Sequence, residues 1–313
     1  TENKDPILRH SGIMGLVGVA TLRQLEDFVD HPSEAMRIAA VIALRHLGGI
    51  KELTQFIKDD SPQVMSDAIR AIYDEAQTQT FLDHPKSLSL IAEALNPKHP
   101  PPVNVRAIAA NRRLGTVVSA KRISTFLADP NLSKNLRIQG LYALKSWPKA
   151  SRLDPIDGRY FPVLAGDMDA LKEAIGPEIW ALANDADNNI SRQAIAVLQS
   201  INPDRAKLDQ VSDLILDETQ RSNLRKGWLR WLRKWDRILF TSVGTQALNS
   251  KSPELRAVAA EELSEAGVGG SAVDNYLLAT LNNSSDTVEL QRAIKMIPRL
   301  DSKKHIIEKL IKE

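Results

Sequence analysis

Apolar positions recur along this chain at helical spacing, inside a frame that repeats. A turn residue, often Asp or Pro, precedes an aliphatic-Arg pair. Ala and Leu then follow three and four positions apart, the spacing that puts side chains on one face of an α-helix. The frame opens at Asp5-Pro6 with Leu8-Arg9 and returns at Pro32 with Met36-Arg37, Ala39, Ala40, Ala43 and Leu44. It returns again at Pro102 with Val105-Arg106, Ala109, Ala110 and Leu114, and at Leu136-Arg137 with Leu141 and Leu144. Leu224-Arg225 is a further copy, as is Pro253 with Leu255-Arg256, Ala259, Ala260 and Leu263. Weaker copies lie at 62–71, 190–198 and 290–297. Arg9 and Arg37 stand 28 residues apart, and Arg106 and Arg137, like Arg225 and Arg256, stand 31 apart. That is close to the period of helix-pair repeats, roughly 30 to 45 residues.

Each copy runs through a short break into a second apolar-periodic stretch. Gly48-Gly49 precedes Leu53, Phe56 and Ile57; Gly115 precedes Ile123, Phe126 and Leu127; Gly267 to Gly270 precedes Tyr276, Leu277 and Leu281. Glycine ends a helix because it accepts the left-handed conformation there, and proline opens one because the N–H it lacks would be unpaired anyway. One helix pair cannot cover its own apolar stripe, so neighbours must stack. The pattern predicts an all-α protein, a right-handed α-solenoid of HEAT-type repeats in which about nine helix pairs form a single array over 1–313. No segment alternates apolar and polar residues over strand length, so no sheet is expected. Two stretches break the frame, at 77–86 and at 150–167. The second carries Tyr160 and Phe161 among turn residues and is expected to fold back on the repeats as the main irregular functional feature.

Composition narrows this picture. Apolar residues make up 43% and charged residues 26%, which fits a folded chain, and the 5% aromatic content leaves a core of small aliphatic side chains. The formal charge of +2 is the small difference between 41 basic and 39 acidic residues, so any basic function must be local. Zero cysteines exclude disulfides, thiolate nucleophiles, cysteine-ligated zinc and covalently attached c-type haem. No apolar run reaches the roughly 18 residues of a membrane helix. The start at Thr-Glu-Asn-Lys, without Met, suggests an excised domain or a processed product.

The first five units read DPILRH, MRIAAVIALRHL, DDSPQVMSDAIRAIYDEA, NVRAIAANRRLG and LRIQGLYALKSW, and DPIDGRY follows them. In that order they resemble the HEAT-repeat region of large bacterial dehydrogenase-like multidomain proteins, membrane-bound or periplasmic, of planctomycete and verrucomicrobial type. The resemblance covers roughly residues 5 to 162. In such proteins a sugar-dehydrogenase-like β-propeller precedes the repeats and a cytochrome c domain often follows. This chain has neither the propeller nor a Cys-x-x-Cys-His haem site. The resemblance therefore implies a connecting scaffold in a periplasmic or cell-envelope setting, with no cofactor of its own and with adjacent domains as partners.

Candidate chemistry is sparse. The recurring Arg9, Arg37, Arg106, Arg137, Arg225 and Arg256 could form a basic track, but an early helical arginine more often binds a neighbouring acid or a carbonyl end, giving a ladder between repeats. The segment RSNLRKGWLRWLRKWDR, 221–237, combines three Trp with many cations in the manner of nucleic-acid or membrane-surface helices. On a helical wheel Leu224, Trp228, Trp231, Leu232, Trp235 and Leu239 fall within about 100°. Lys226, Arg230, Arg233, Lys234 and Arg237 gather opposite, so the Trp stripe reads as core and the basic stripe as a possible contact for an anionic partner.

Arg9-His10 and Arg45-His46 stand at equivalent places and could line a shared groove, while Asn111 and Arg113, with Arg112, make a polar cluster before Gly115. The six His show no i, i+4 pair, so no metal site is expected. There is no Gly-x-Ser-x-Gly and no phosphate-cradling glycine loop, so no enzyme is expected. The expected function is a non-catalytic scaffold that presents a surface to a protein or domain. The alternatives are a DNA-binding protein or enzyme resembling HEAT-type alkylpurine DNA glycosylases and a protein resembling HEAT-type bilin lyases. The balanced charge argues against a global nucleic-acid role.

Overall fold

The computed structural model describes residues 5–75, 85–156, 158–300 and 302–312. The chain divides into two compact units, Thr1–Ala181 and Leu182–Glu313. The first unit holds α1 (Pro6–Val19), α2 (Leu22–Glu26), α3 (Glu34–His46), α4 (Ile50–Leu53), α5 (Pro62–Glu75), α6 (Pro85–Glu93), α7 (Pro101–Leu114), α8 (Val117–Leu127), α9 (Lys134–Lys145) and α10 (Met168–Ala174). The units divide within α11 (Pro177–Ala183). The second unit continues with α12 (Asn188–Leu198), α13 (Arg205–Leu216), α14 (Ser222–Trp235), α15 (Arg237–Ala247), α16 (Pro253–Glu265), α17 (Gly270–Asn283), α18 (Thr287–Met296) and α19 (Lys303–Lys312). Apart from α11 these form nine consecutive helix pairs among the described residues.

The pairs stack as a helical repeat should. First helices lie side by side, α3 on α5, α5 on α7 and α7 on α9 in one unit, and α12 on α14, α14 on α16 and α16 on α18 in the other. Second helices do the same, α8 against α10, α13 against α15 and α17 against α19. Each neighbour thus buries the stripe that a lone pair would leave wet, and the aliphatic-Ala positions read from the sequence are the core: Ala39, Ala40, Ala43 and Leu44 in α3, Ala109 and Ala110 in α7, Ala259, Ala260 and Leu263 in α16. Glycine ends helices where expected. Gly48, Gly115 and Gly267 have φ of +71°, +61° and +65°, the left-handed region that a side chain resists.

One expectation fails. Within 150–167 the chain forms a two-stranded antiparallel sheet, β1 (Ser151–Leu153) on β2 (Tyr160–Val163), in the register Ser151 with Val163 and Leu153 with Tyr160. Strands of three and four residues are too short to show an alternating pattern, and the β1 residues are all exposed, so no apolar face marks them. In the other irregular stretch, residues 76–84 lie outside the described residues, while Pro85 and Lys86 already belong to α6.

Candidate functional site

Four of the recurring arginines, Arg37 and Arg106 in the first unit and Arg225 and Arg256 in the second, form carboxylate rungs of a ladder within their units. Arg37 grips both oxygens of Asp59 (2.7 and 3.1 Å) and donates to the His31 carbonyl that precedes its own helix (2.7 Å). Arg256 repeats this in α16, holding both oxygens of Glu289 (2.8 and 2.7 Å) and the Ser250 carbonyl (2.8 Å). Arg225, fully buried, spends its guanidinium on Glu218 (2.9 Å to each oxygen), the Ile215 carbonyl (2.7 Å) and Ser250 Oγ (3.2 Å). Arg137 donates to the Pro130 carbonyl. Bidentate pairing of this kind is the strong form of the arginine–carboxylate contact. It raises the Arg37 and Arg256 guanidinium pKa values and, through the Arg225 hydrogen bonds, holds the Glu218 carboxyl at about 2. Arg9 and His10 are exposed on α1. Arg45 and His46 share a polar pocket with Asp67 and Arg70 that Arg9 and His10 do not line. In that region Asp74 draws three guanidiniums, those of Arg45 (3.2 Å), Arg70 (3.6 Å) and Arg106 (4.0 Å).

The polar cluster before Gly115 separates into three roles. Asn111 is fully buried and ties helix to helix, donating to the Ala92 and Ala107 carbonyls and accepting from Arg122. Arg112 is buried too, and binds the carbonyls of Ser146 (2.9 Å), Lys149 (2.8 Å) and Leu164 (2.9 Å) while lying over the Trp147 ring. It thereby clamps both ends of the β1–β2 insertion, and burial lowers its pKa. Arg113 pairs with Asp154, whose side chain has no exposed surface, and sits 4.7 Å over the Tyr73 ring. The Tyr73 hydroxyl donates to the same carboxylate at 2.7 Å. Asp154 thus joins the insertion to α5 and α7 from 81 and 41 residues away. Between the insertion, α7 and α9 lies a pocket of about 350 Å³. Periodicity could not single out Asp154 or Tyr73; the available signal was the DPIDGRY run after a unit ending in Trp147.

The Trp-rich helix splits as the wheel requires, with two amendments. Trp228, Trp231 and Leu232 are fully buried, the first two ring edge to ring face with centroids 5.6 Å apart. The helix stops at Trp235, because Asp236 turns extended and its carboxylate caps α15 at the Leu239 N–H. Leu239 and Arg237 therefore belong to the next helix. The basic stripe is also largely spoken for: Lys226 meets Glu254 (3.2 Å), Arg230 and Arg233 share Glu262 (2.7 and 2.6 Å), and Arg233 reaches Glu265 (2.9 Å). Lys234 and Arg237 donate to the carbonyls of Gln199 and Ala266.

A groove of about 600 Å³ crosses the first helices of the second unit. Its lining includes Asn188, Asn189 and Gln199 near α12 and Asn223 on α14, together with Arg192, Lys226, Arg230 and Arg292, and no carboxylate. Gly227 lets α12 and α14 close at its floor, since a Cβ there would meet Ile195 Cδ1 at 2.9 Å. Nη1 of Arg292 is buried and has no hydrogen-bond partner among the described residues.

No family model matches the sequence, and no curated protein matches it. Among solved structures the chain is similar to YibA of Escherichia coli, with 15% identity over 96% of this chain and 100% of that one and a TM-score of 0.43. It is also similar to computationally designed armadillo repeat proteins for modular peptide recognition, with 13% identity over 90% of this chain and 100% of that one and a TM-score of 0.24. Both scores lie below the level at which a shared fold follows, so the assignment to an all-α protein of stacked HEAT-like helix pairs rests on this chain's own geometry.

Proposed function

We propose that the chain is a non-catalytic scaffold that holds a partner protein, or an adjoining domain, along the face made by its first helices. The groove over α12, α14, α16 and α18 carries this reading. Side-chain amides can both donate to and accept from a peptide backbone. Of the cations, Lys226 and Arg230 already face Glu254 and Glu262 and Arg292 stands 3.9 Å from Glu261, so among the described residues Arg192 and the Nη1 of Arg292 are the donors left to favour carboxylates. The occupant that fits this chemistry is an extended acidic segment. The resemblance of residues 5–162 adds a setting, in which the array connects larger domains of a cell-envelope protein. A nucleic-acid role has less behind it, because Lys226, Arg230 and Arg233 already face carboxylates of α16 and the net charge is only +2. The test uses fluorescently labelled poly-glutamate, with poly-lysine as the control. Poly-glutamate should bind saturably and poly-lysine should not, and the double change Arg192→Glu with Arg292→Glu should weaken binding at least about tenfold, or 1.4 kcal/mol, without altering the melting curve. Undiminished binding by the double variant would remove the groove from consideration.

A further inference from the structure

The pocket beneath the β1–β2 insertion differs in its lining from the cation-rich groove of the second unit. Val105, Ile108 and Ala109 of α7, Ala143 of α9, and Ile156 and Val163 of the insertion make it mainly apolar. Its volume of about 350 Å³ falls at the lower end of the range of small-molecule sites, roughly 300 to 1,000 Å³. The wall is also preformed. Arg112 ties down the chain on both sides of the insertion, and the Asp154 contacts with Tyr73 and Arg113 fix its turn.

The charges that line the pocket already face protein groups, the Arg113 guanidinium meeting Asp154 and the Tyr73 ring. Asp154 receives Arg113, Tyr73 and the Ile156 N–H. Arg112 faces no carboxylate among the described residues, yet its Nε, Nη1 and Nη2 make four hydrogen bonds, to Ser146 Oγ and to the Leu164, Ser146 and Lys149 carbonyls. An incoming anion would find the Arg112 donors already spent and the Arg113 charge already met by Asp154, and would lose its hydration on entry. A neutral apolar group loses none and gains the burial of its surface. At the mouth stand two exposed residues, Tyr142 and Gln139, which offer a hydroxyl and an amide to one polar tip.

We infer that this pocket binds an uncharged, mainly apolar small molecule, its ring or chain against α7 and a single neutral polar group toward Gln139. The inference does not rest on the groove, which lies wholly among residues 188–292.

Phenylnaphthylamine, which is neutral and brightens on leaving water, is the probe, and anilinonaphthalene sulfonate supplies nearly the same rings with a fixed negative charge. The full chain should bind the neutral probe saturably at one site, at least about tenfold more tightly than the sulfonate. Gln139→Trp, at the exposed mouth, should weaken the neutral probe at least about tenfold at an unchanged melting temperature. Ala143→Phe should do the same from inside, and if that variant does not fold, Gln139→Trp decides alone. Val118→Trp, at an exposed site on α8 outside the pocket, should change nothing. Absent saturation, equal or tighter sulfonate binding, or indifference to Gln139→Trp would each overturn the inference.

Discussion

Asp154 is a loop residue whose side chain has no exposed surface and yet carries a charge. Taking a carboxylate out of water costs several kcal/mol, and here Arg113, the Tyr73 hydroxyl and the Ile156 N–H together offset it. The partners are not equivalent. Asp154→Ala strands the Arg113 guanidinium, itself 3% exposed, without its carboxylate and should destabilise the protein by about 3–5 kcal/mol. Tyr73→Phe removes one donor to a charged acceptor and should cost less, about 1.5–3 kcal/mol. Urea unfolding followed by circular dichroism measures both, and a reversed order would mean that Asp154 does not anchor the insertion. The residue was visible as a letter in DPIDGRY. Its burial was not, because both side-chain partners lie tens of residues upstream.

At the scale of the element, helix ends show what a local pattern can and cannot carry. Gly48 and Gly115 both follow first helices and both have positive φ, so alanine at either must hold a left-handed backbone at roughly 1–2 kcal/mol. Their surroundings differ. A Cβ on Gly48 would meet nothing within 4 Å, whereas one on Gly115 would lie 3.1 Å from the Gly166 backbone, where the returning insertion crosses the end of α7. Gly115→Ala should therefore lower the melting temperature distinctly more than Gly48→Ala in the same buffer, and equal shifts would show that the crossing yields freely. The end of α14 makes the complementary point. The apolar period runs on to Leu239, but Asp236 stops the helix by capping the next one.

The arginine ladder gives the whole molecule a dependence on pH. Glu218 has its carboxyl pulled from the ordinary 4.5 to about 2 by the Arg225 hydrogen bonds. Burial alone would raise Glu289, but hydrogen bonds from Arg256, Ser284 and Tyr276 outweigh it and the net shift is downward. A depressed carboxylate pKa means that the folded state binds the proton less readily than the unfolded chain. The stability contributed is fully present above the unfolded value, 4.5, and is lost as pH falls toward about 2. Glu218→Gln should thus flatten the decline in unfolding free energy between those limits, as read from urea titrations at a series of pH values; a slope matching the parent would assign the acid limb to other groups.

The repeat period, the glycine and proline boundaries, the Ala-Leu core and the buried Trp face were all legible in the sequence, because each follows from neighbours within one or two helical turns. The strand pair, the Asp154 anchor, the neutralised basic stripe and both pockets were decided only by tertiary structure. Arg230 meets Glu262 across 32 residues and Tyr73 meets Asp154 across 81. Which charge faces which depends on the register of one helix against the next, and periodicity leaves that register open until the packed neighbours set it.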